Sequence, residues 1–332
     1  MFIREERLSI DYLPKRLPHR EHQLEQLLSL DEGIAVLVGP VGVGKTSTLK
    51  KVGDARSGID IDRLVHISGY RYRTSYLMMR GLLRRLGLSI SRGYSTDTYV
   101  EFITGYLSSR RDRIIIALDD VDYLRDHERV ADIATRLGLN AIVYCVYHNK
   151  YIIPDVLKEY KIVVFTPYTV REVEDILLAR VFEEEAIDPR AVNDELIELI
   201  ALMVGYDVGG RGDCRLALEI LWRAGKYAIA YGREHIVPDD VRRAYMDTLI
   251  DLDEMMFDLD SEELNLLKEL LEIVRPEEKG VDLSIIEESG ALKSLNDRGI
   301  VRIYRDQIVP LLPLEVLSRA IEERIKSYEL FS

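Results

Sequence analysis

Cysteine is almost absent from this 332-residue sequence. Cys145 and Cys214 stand far apart, without a CxxC pair or a histidine-rich neighbour. That excludes a disulfide framework and a zinc ribbon. Long apolar runs are missing too: no stretch reaches the roughly eighteen residues needed to span a bilayer. The opening MFIREERLSIDYLPKR has no apolar segment ahead of a small-residue cleavage site, so no secretory signal is expected. Positive charge is in the minority, with 45 Lys and Arg against 58 Asp and Glu and a net charge of -13. Such a field opposes a polyanionic partner at long range, although a local basic patch neutralises phosphates whatever the total. Glutamine is confined to Gln23, Gln26 and Gln307 while 31% of residues are charged, the trend of heat-adapted proteins. Together these features imply a reduced, cytoplasmic protein with no membrane partner.

The sequence is 47% hydrophobic, enough for two or three cores at this length. Its first half alternates between short apolar runs and helical patterns. Gly33 to Gly39 (GIAVLVG), Leu64 to Ser68 (LVHIS), Ile114 to Leu118 (IIIAL), Ala141 to Val146 (AIVYCV) and Ile162 to Phe165 (IVVF) read as buried parallel strands. Helices are predicted after Lys45 and over Thr74 to Leu86, which makes this half an α/β domain. Beyond Pro167 the β pattern stops. Glu172 to Ala186, Asp194 to Met203, Asp213 to Tyr231 and Pro238 to Leu249 read as helices, with Asp213 and Asp239 as N-caps. The acidic segment Asp251 to Asp260 reads as a linker or a helix end. It is followed by helices over Ser261 to Ile273, Leu283 to Glu288 and Ala291 to Arg298. Two short strands then flank Arg305–Asp306 before a last helix, Leu314 to Tyr328. Three helices and a hairpin make a small winged helix. The predicted division is 1–166, 167–250 and 251–332.

One segment carries the chemistry. Gly39, Pro40, Val41, Gly42, Val43, Gly44, Lys45 and Thr46, with Ser47 after them, fit G-x-x-x-x-G-K-[ST] between an apolar strand and a helix. Glycines let backbone N–H groups turn inward around a β-phosphate, and the helix adds its positive end. Lys45 brings a point charge to the β- and γ-phosphates, and the Thr46 hydroxyl is a Mg²⁺ ligand. A second oxygen donor is expected at the end of a neighbouring strand, where IIIAL runs into Asp119 and Asp120. Asp119 is assigned to the metal and Asp120 to the attacking water. Asp120 is one methylene shorter than glutamate, so slow hydrolysis is expected. ATP or ADP with Mg²⁺ is the implied cofactor.

Several further segments resemble the archaeal origin-recognition/Cdc-type replication initiators, a branch of the AAA+ ATPases. They are Leu17-Pro18-His19-Arg20-Glu21, Ser68 to Gly87 with Arg73-Thr74-Ser75-Tyr76, Phe165-Thr166-Pro167-Tyr168-Thr169, Ile176-Leu177-Leu178-Ala179-Arg180 and Gly212-Asp213-Cys214-Arg215-Leu216-Ala217-Leu218. The resemblance covers roughly residues 10 to 250. It implies a P-loop AAA+ core, an all-helical lid and a C-terminal winged-helix domain. It also implies that Arg215 senses the γ-phosphate, that Tyr168 and Arg180 touch the nucleotide, and that a polar sensor closes the strand after the acid pair. Val146-Tyr147-His148-Asn149 departs from the family's pattern there; Asn149 is assigned, with His148 as the alternative.

The resemblance further implies duplex DNA at replication origins as a partner, with the replicative helicase or other initiator subunits, and a nucleoid association. Candidate phosphate contacts are Arg71, Arg73, Arg80, Arg84 and Arg85 in the first domain and Lys293, Arg298, Arg302 and Arg305 in the last. The acidity and the tight wing also fit a paralogue acting as a nucleotide-binding adaptor. A targeting ATPase of mobile elements would share the P-loop without the GDCR and FTPYT segments.

Overall fold

A computed structural model describes residues 1–56, 63–88, 93–110, 113–249, 259–286 and 289–331. The chain divides into two compact units, residues 16–167 and residues 1–15 with 168–332.

The first unit is built on β1 (Gly33–Val38), β2 (Arg63–Ser68), β3 (Ile114–Asp119), β4 (Ile142–Tyr147) and β5 (Lys161–Val164). All pair in parallel, in the order β2-β3-β4-β1-β5. β1, β3 and β4 are buried along nearly their whole lengths, as expected of strands covered by helices on both faces. Those helices are α1 (Glu21–Leu28), α2 (Lys45–Arg56), the short α3 (Gly69–Tyr72), α4 (Ser75–Arg85), α5 (Thr96–Ser108), α6 (Val130–Gly138) and the one-turn α7 (Asp155–Lys158). The sequence reading found the five strands but not α5 and α6. In α5, TDTYVEFITGYLS is rich in β-branched and aromatic residues of low helix propensity. Ser95 caps it, and Tyr99, Val100, Ile103 and Leu107 bury one face.

The second unit holds the lid: α8 (Val170–Leu178), α9 (Asp194–Val204), α10 (Cys214–Ala230) and α11 (Pro238–Met246). The expected helix over 172–186 breaks into a π-helical turn after Leu178. Asp213 caps α10 as predicted, but Asp239 does not cap α11. Val237 takes the cap position, with Pro238 leading the first turn and the Asp240 carboxylate reaching back to the Val237 N–H. Asp239 pairs instead with Arg243, one turn on. Residues 1–15, placed with the core by sequence, pack inside this second unit. Phe2 bridges to Ile187, and the buried Glu184 accepts hydrogen bonds from Tyr12 Oη at 2.7 Å and Lys15 N at 2.6 Å.

The expected acidic linker falls mostly on residues 250–258, outside the described residues; Asp260 caps the next helix. The winged fold follows as α12 (Ser261–Ile273), β6 (Val281–Asp282), α13 (Gly290–Asp297), β7 (Val301–Tyr304), β8 (Gln307–Pro310) and α14 (Leu314–Phe331). Of the middle helix expected over 283–288, Leu283–Ile285 form a 3-10 turn, and residues 287–288 lie outside the described residues. Arg305 and Asp306 join β7 to β8 with φ of 45° and 60°, a two-residue hairpin turn without the usual glycine.

Lid and winged fold share their interior. Val309 and Leu311 belong to the lid's apolar cluster. In the other direction Arg242 of α11, fully buried, donates to the carbonyls of Pro310 (3.1 Å), Glu278 (2.7 Å) and Lys279 (2.8 Å). Glu198 of α9 accepts from both Lys279 and Arg305, the latter at 3.0 Å.

Candidate nucleotide-binding site

The sheet places the ends of β1, β3 and β4 side by side at one edge, the place where open α/β sheets bind ligands. The loop leaving β1 needs its glycines for two separate reasons. A Cβ on Gly39 would overlap the carbonyl oxygen of Phe165, and Gly44 has φ of 90° as the chain turns into α2. Lys45, 5% exposed, folds over the loop and donates to the carbonyls of Gly39 and Pro40, both at 2.6 Å. Its ammonium therefore sits within the bend that Gly39 to Ser47 describes.

Thr46, one residue into α2, donates its hydroxyl to Asp119 Oδ2 at 2.8 Å. Two hard oxygen donors from distant parts of the chain thus meet at one point, a donor set suited to Mg²⁺. Sequence reading did not find the third group there. His66 of β2 reaches the same Oδ2 at 2.7 Å through Nε2. Burial works to raise the Asp119 pKa. The His66 contact, the Thr46 hydroxyl and the Asp120 N–H together outweigh it and hold the carboxyl below its ordinary range. The register of β2 on β3 brings it there: Ser68 stands opposite Asp119, and His66 lies two residues back on the same face.

Asp120 sits just past β3 in the left-handed region, φ 54°. A non-glycine residue held there marks a position fixed by its surroundings. Ser68 Oγ donates to its Oδ2 at 2.6 Å, and His148 Nε2 lies 3.6 Å from its Oδ1. The other ring nitrogen of His148, Nδ1, is 2.9 Å from Asp122 Oδ1, and its backbone N–H donates to Asp122 Oδ2. Of the two sensor candidates closing β4, His148 is the one turned toward the acid pair. Asn149 is exposed, and its side-chain oxygen accepts from the Tyr151 N–H as the cap of a short turn.

Arg20 fixes the loop from behind. It is 2% exposed and donates to Val43 O (2.8 Å), His19 O (2.7 Å) and Thr166 O (2.7 Å). One side chain ties the phosphate loop to the LPHRE segment and to the end of the sheet.

The remaining assigned residues lie in the second unit. Arg215 stands exposed in the first turn of α10, and its N–H donates to the capping Asp213. Tyr168 is buried in the lid's apolar cluster. Arg180 is also buried; it donates to Arg7 O at 2.9 Å and stacks over the Tyr12 ring. Both side chains anchor the unit they belong to.

The two arginine groups differ in their surroundings. Arg71, Arg73, Arg84 and Arg85 are exposed on α3, α4 and the turn between them, Arg80 is half-exposed, and none has an acidic partner among the described residues. Arg73 stacks on Tyr70 with its guanidinium 4.3 Å from the ring centroid. In the winged fold Arg298 pairs with the buried Glu263, and Arg305 pairs with Glu198. Arg302 is 6% exposed, which corrects its assignment as a DNA contact. Of that group Lys293 is exposed on α13 with no ion pair among the described residues, one turn from the exposed Asp297.

An AAA domain family matches residues 29–146, and a Cdc6 AAA+ ATPase-type lid domain family matches residues 174–246. The ORC1-type DNA replication protein 2 of Sulfurisphaera tokodaii is 33% identical over 296 residues, covering 76% of this chain and 70% of that protein. Among solved structures, Cdc6p from Pyrobaculum aerophilum superposes with a TM-score of 0.84 at 27% identity, covering 99% of each chain. The Aeropyrum pernix ORC1 protein, solved in complex with DNA, shares the fold with a TM-score of 0.64 at 22% identity over 99% of this chain and 98% of that one.

Proposed function

Given that the chain belongs to the ORC1-type DNA replication proteins, initiators of the AAA+ ATPase class with a Cdc6-type lid, we propose that it is an ATP/ADP-controlled initiator that grips duplex DNA at replication origins chiefly through the arginines of α3 and α4. In this reading it helps to recruit the replicative helicase or other initiator subunits, in the nucleoid of the cytoplasm. The observation that carries the DNA contact is the set of five arginines between residues 71 and 85 with no acidic partner among the described residues. A guanidinium already paired with a carboxylate gains little by moving to a phosphate, whereas an exposed unpaired one releases counterions on binding.

For the nucleotide, backbone N–H groups from Gly39 to Ser47 cradle the β-phosphate and Lys45 bridges the β- and γ-phosphates. Thr46 and Asp119 hold Mg²⁺, which when bound neutralises charge on the same phosphates. Asp120, fixed by Ser68 and its constrained backbone, orients the attacking water. His148 takes the polar sensor position in place of Asn149, because only His148 faces Asp120. Arg215 is the γ-phosphate sensor; its exposed guanidinium has no side-chain hydrogen bond to break among the described residues. Tyr168 and Arg180 support the lid's shape and act on the nucleotide only through it.

Arg20 gives a first test of the nucleotide site. It donates to the backbone carbonyls of Val43, His19 and Thr166, so Arg20→Ala is expected to lower ATP affinity about tenfold through a loosened loop. It should also cost about 2 kcal/mol of stability, read by calorimetric titration and urea unfolding. Unchanged affinity would remove Arg20 from the site.

The DNA reading is tested by titrating a fluorescent duplex across a salt series. Affinity is expected to fall steeply with salt, and the triple variant Arg73→Ala, Arg84→Ala, Arg85→Ala should lower the log–log slope by roughly one per lost phosphate contact. The paired and buried arginines of the winged fold favour a second reading, a nucleotide-binding adaptor with weak DNA affinity. No binding at low salt would establish that one instead.

A further inference from the structure

A cavity of about 980 Å³ opens between the lid and the winged fold, lined from the lid by Arg211, Leu216 and Tyr245 and from the winged fold by Arg298, Arg302 and Ile303. Arg302 dominates its chemistry. Its side chain belongs to β7, is 6% exposed and lies against Gly209, whose missing side chain leaves room for the guanidinium. Its Nε has no hydrogen-bond partner, and no ion pair or hydrogen bond of this side chain is found among the described residues.

A buried guanidinium is normally paired, because desolvation disfavours the charge unless acceptors replace the lost water. Burial accordingly pulls the Arg302 pKa below its usual range, with the nearby Tyr245 acting in the opposite direction. The cavity's own acids do not serve it. Asp207 accepts the Val170 N–H at 2.8 Å, and Asp297, at the end of α13, is exposed. A second cation stands at the rim: Arg211 is exposed and has no ion pair among the described residues.

We propose that this cavity is a binding site for a small phosphorylated ligand of nucleoside-monophosphate size, its phosphate held by Arg302 and Arg211 and its body packed against Tyr245, Leu216 and Ile303. Two arginines match a phosphate's bidentate geometry. The volume far exceeds that of inorganic phosphate, and the aromatic and aliphatic wall suits a planar, partly apolar body. The site is separate from the P-loop, which lies in the other unit.

The test uses the full chain carrying Lys45→Ala, so that the P-loop does not compete, with adenosine 5′-monophosphate as the probe in calorimetric titration. One saturable site is expected. Adenosine should not bind, and inorganic phosphate should bind about tenfold more weakly or worse. Adding Arg302→Met should weaken the probe at least about tenfold. Arg211→Gln, a surface change that leaves the fold alone, should weaken it about threefold. Ligand-free Arg302→Met is expected to melt no lower than its parent, since the guanidinium has no partner to lose. No binding by the parent, equal binding by adenosine, binding indifferent to both arginine variants, or a large fall in melting temperature for Arg302→Met would each overturn the proposal.

Discussion

Lys45→Ala is expected to reduce affinity for ATP and ADP by about a hundredfold or more. Charge-assisted hydrogen bonds to phosphate are each worth about 1.5–3 kcal/mol, and in the proposed pose the ammonium would make two of them. The loop should survive the change. Lys45 donates to the carbonyls of Gly39 and Pro40 in the ligand-free fold, and Arg20 also holds the loop through Val43. The variant should therefore melt close to the parent without nucleotide and lose the rise that saturating ATP gives the parent. At a ligand excess of about a hundred Kd that rise corresponds to roughly 2.7 kcal/mol. Thermal melts with and without ATP, beside a direct titration, separate lost binding from lost folding. If variant and parent are equally stabilised by ATP, the triphosphate does not sit where this reading puts it.

The second large effect is on stability. Arg242→Ala should destabilise the second unit by about 3 kcal/mol, measured by urea unfolding of the full chain. The side chain is wholly buried, and burial pushes its pKa down to about 10. Unlike Arg302, it has three carbonyl acceptors on segments of the winged fold. Alanine leaves those carbonyls dry and unsatisfied and opens a cavity beside them. Relief of the desolvated charge offsets part of the loss. Arg242→Met separates the causes, since it keeps most of the volume and removes the donors. A methionine variant as stable as the parent would mean the carbonyls find other partners. Two arginines buried in one interface thus predict opposite responses to the same substitution: Arg242→Met destabilises, and Arg302→Met does not.

Much of the first unit was legible because its signals are local. A strand, a glycine loop and a helix lie consecutively from Gly33 to Arg56, and an apolar run ending in Asp119 needs no tertiary information. What the sequence hid depends on pairing across the chain. His66 joins Asp119 only because β2 lies beside β3 in a fixed register. The choice between His148 and Asn149 turns on where β4 ends; one residue further and the two would exchange faces. The arginines of the winged fold looked available because neither Glu198 nor Glu263 is near them in sequence. Arg302 stands between two apolar residues, Val301 and Ile303, in β7, a pattern that reads as a solvent-facing position, whereas the side chain enters a second interior shared with the lid. Helix α5 escaped for a different reason: burial of one face in the core overrides the weak propensity of its residues.

The hairpin tip at Arg305–Asp306 bears on how a duplex would be read. Two residues at a turn extend no prong beyond their own strands, and the Arg305 guanidinium is drawn back onto the lid by Glu198. The major groove is about 8.5 Å deep, so a turn this short would add little to the reading of a base pair. Contact made there would feel the phosphate ribbon and be blind to the letters between. In the proposed reading, a preference for one stretch of genome over another would then be sought in the arginines of α3 and α4 or in a companion protein.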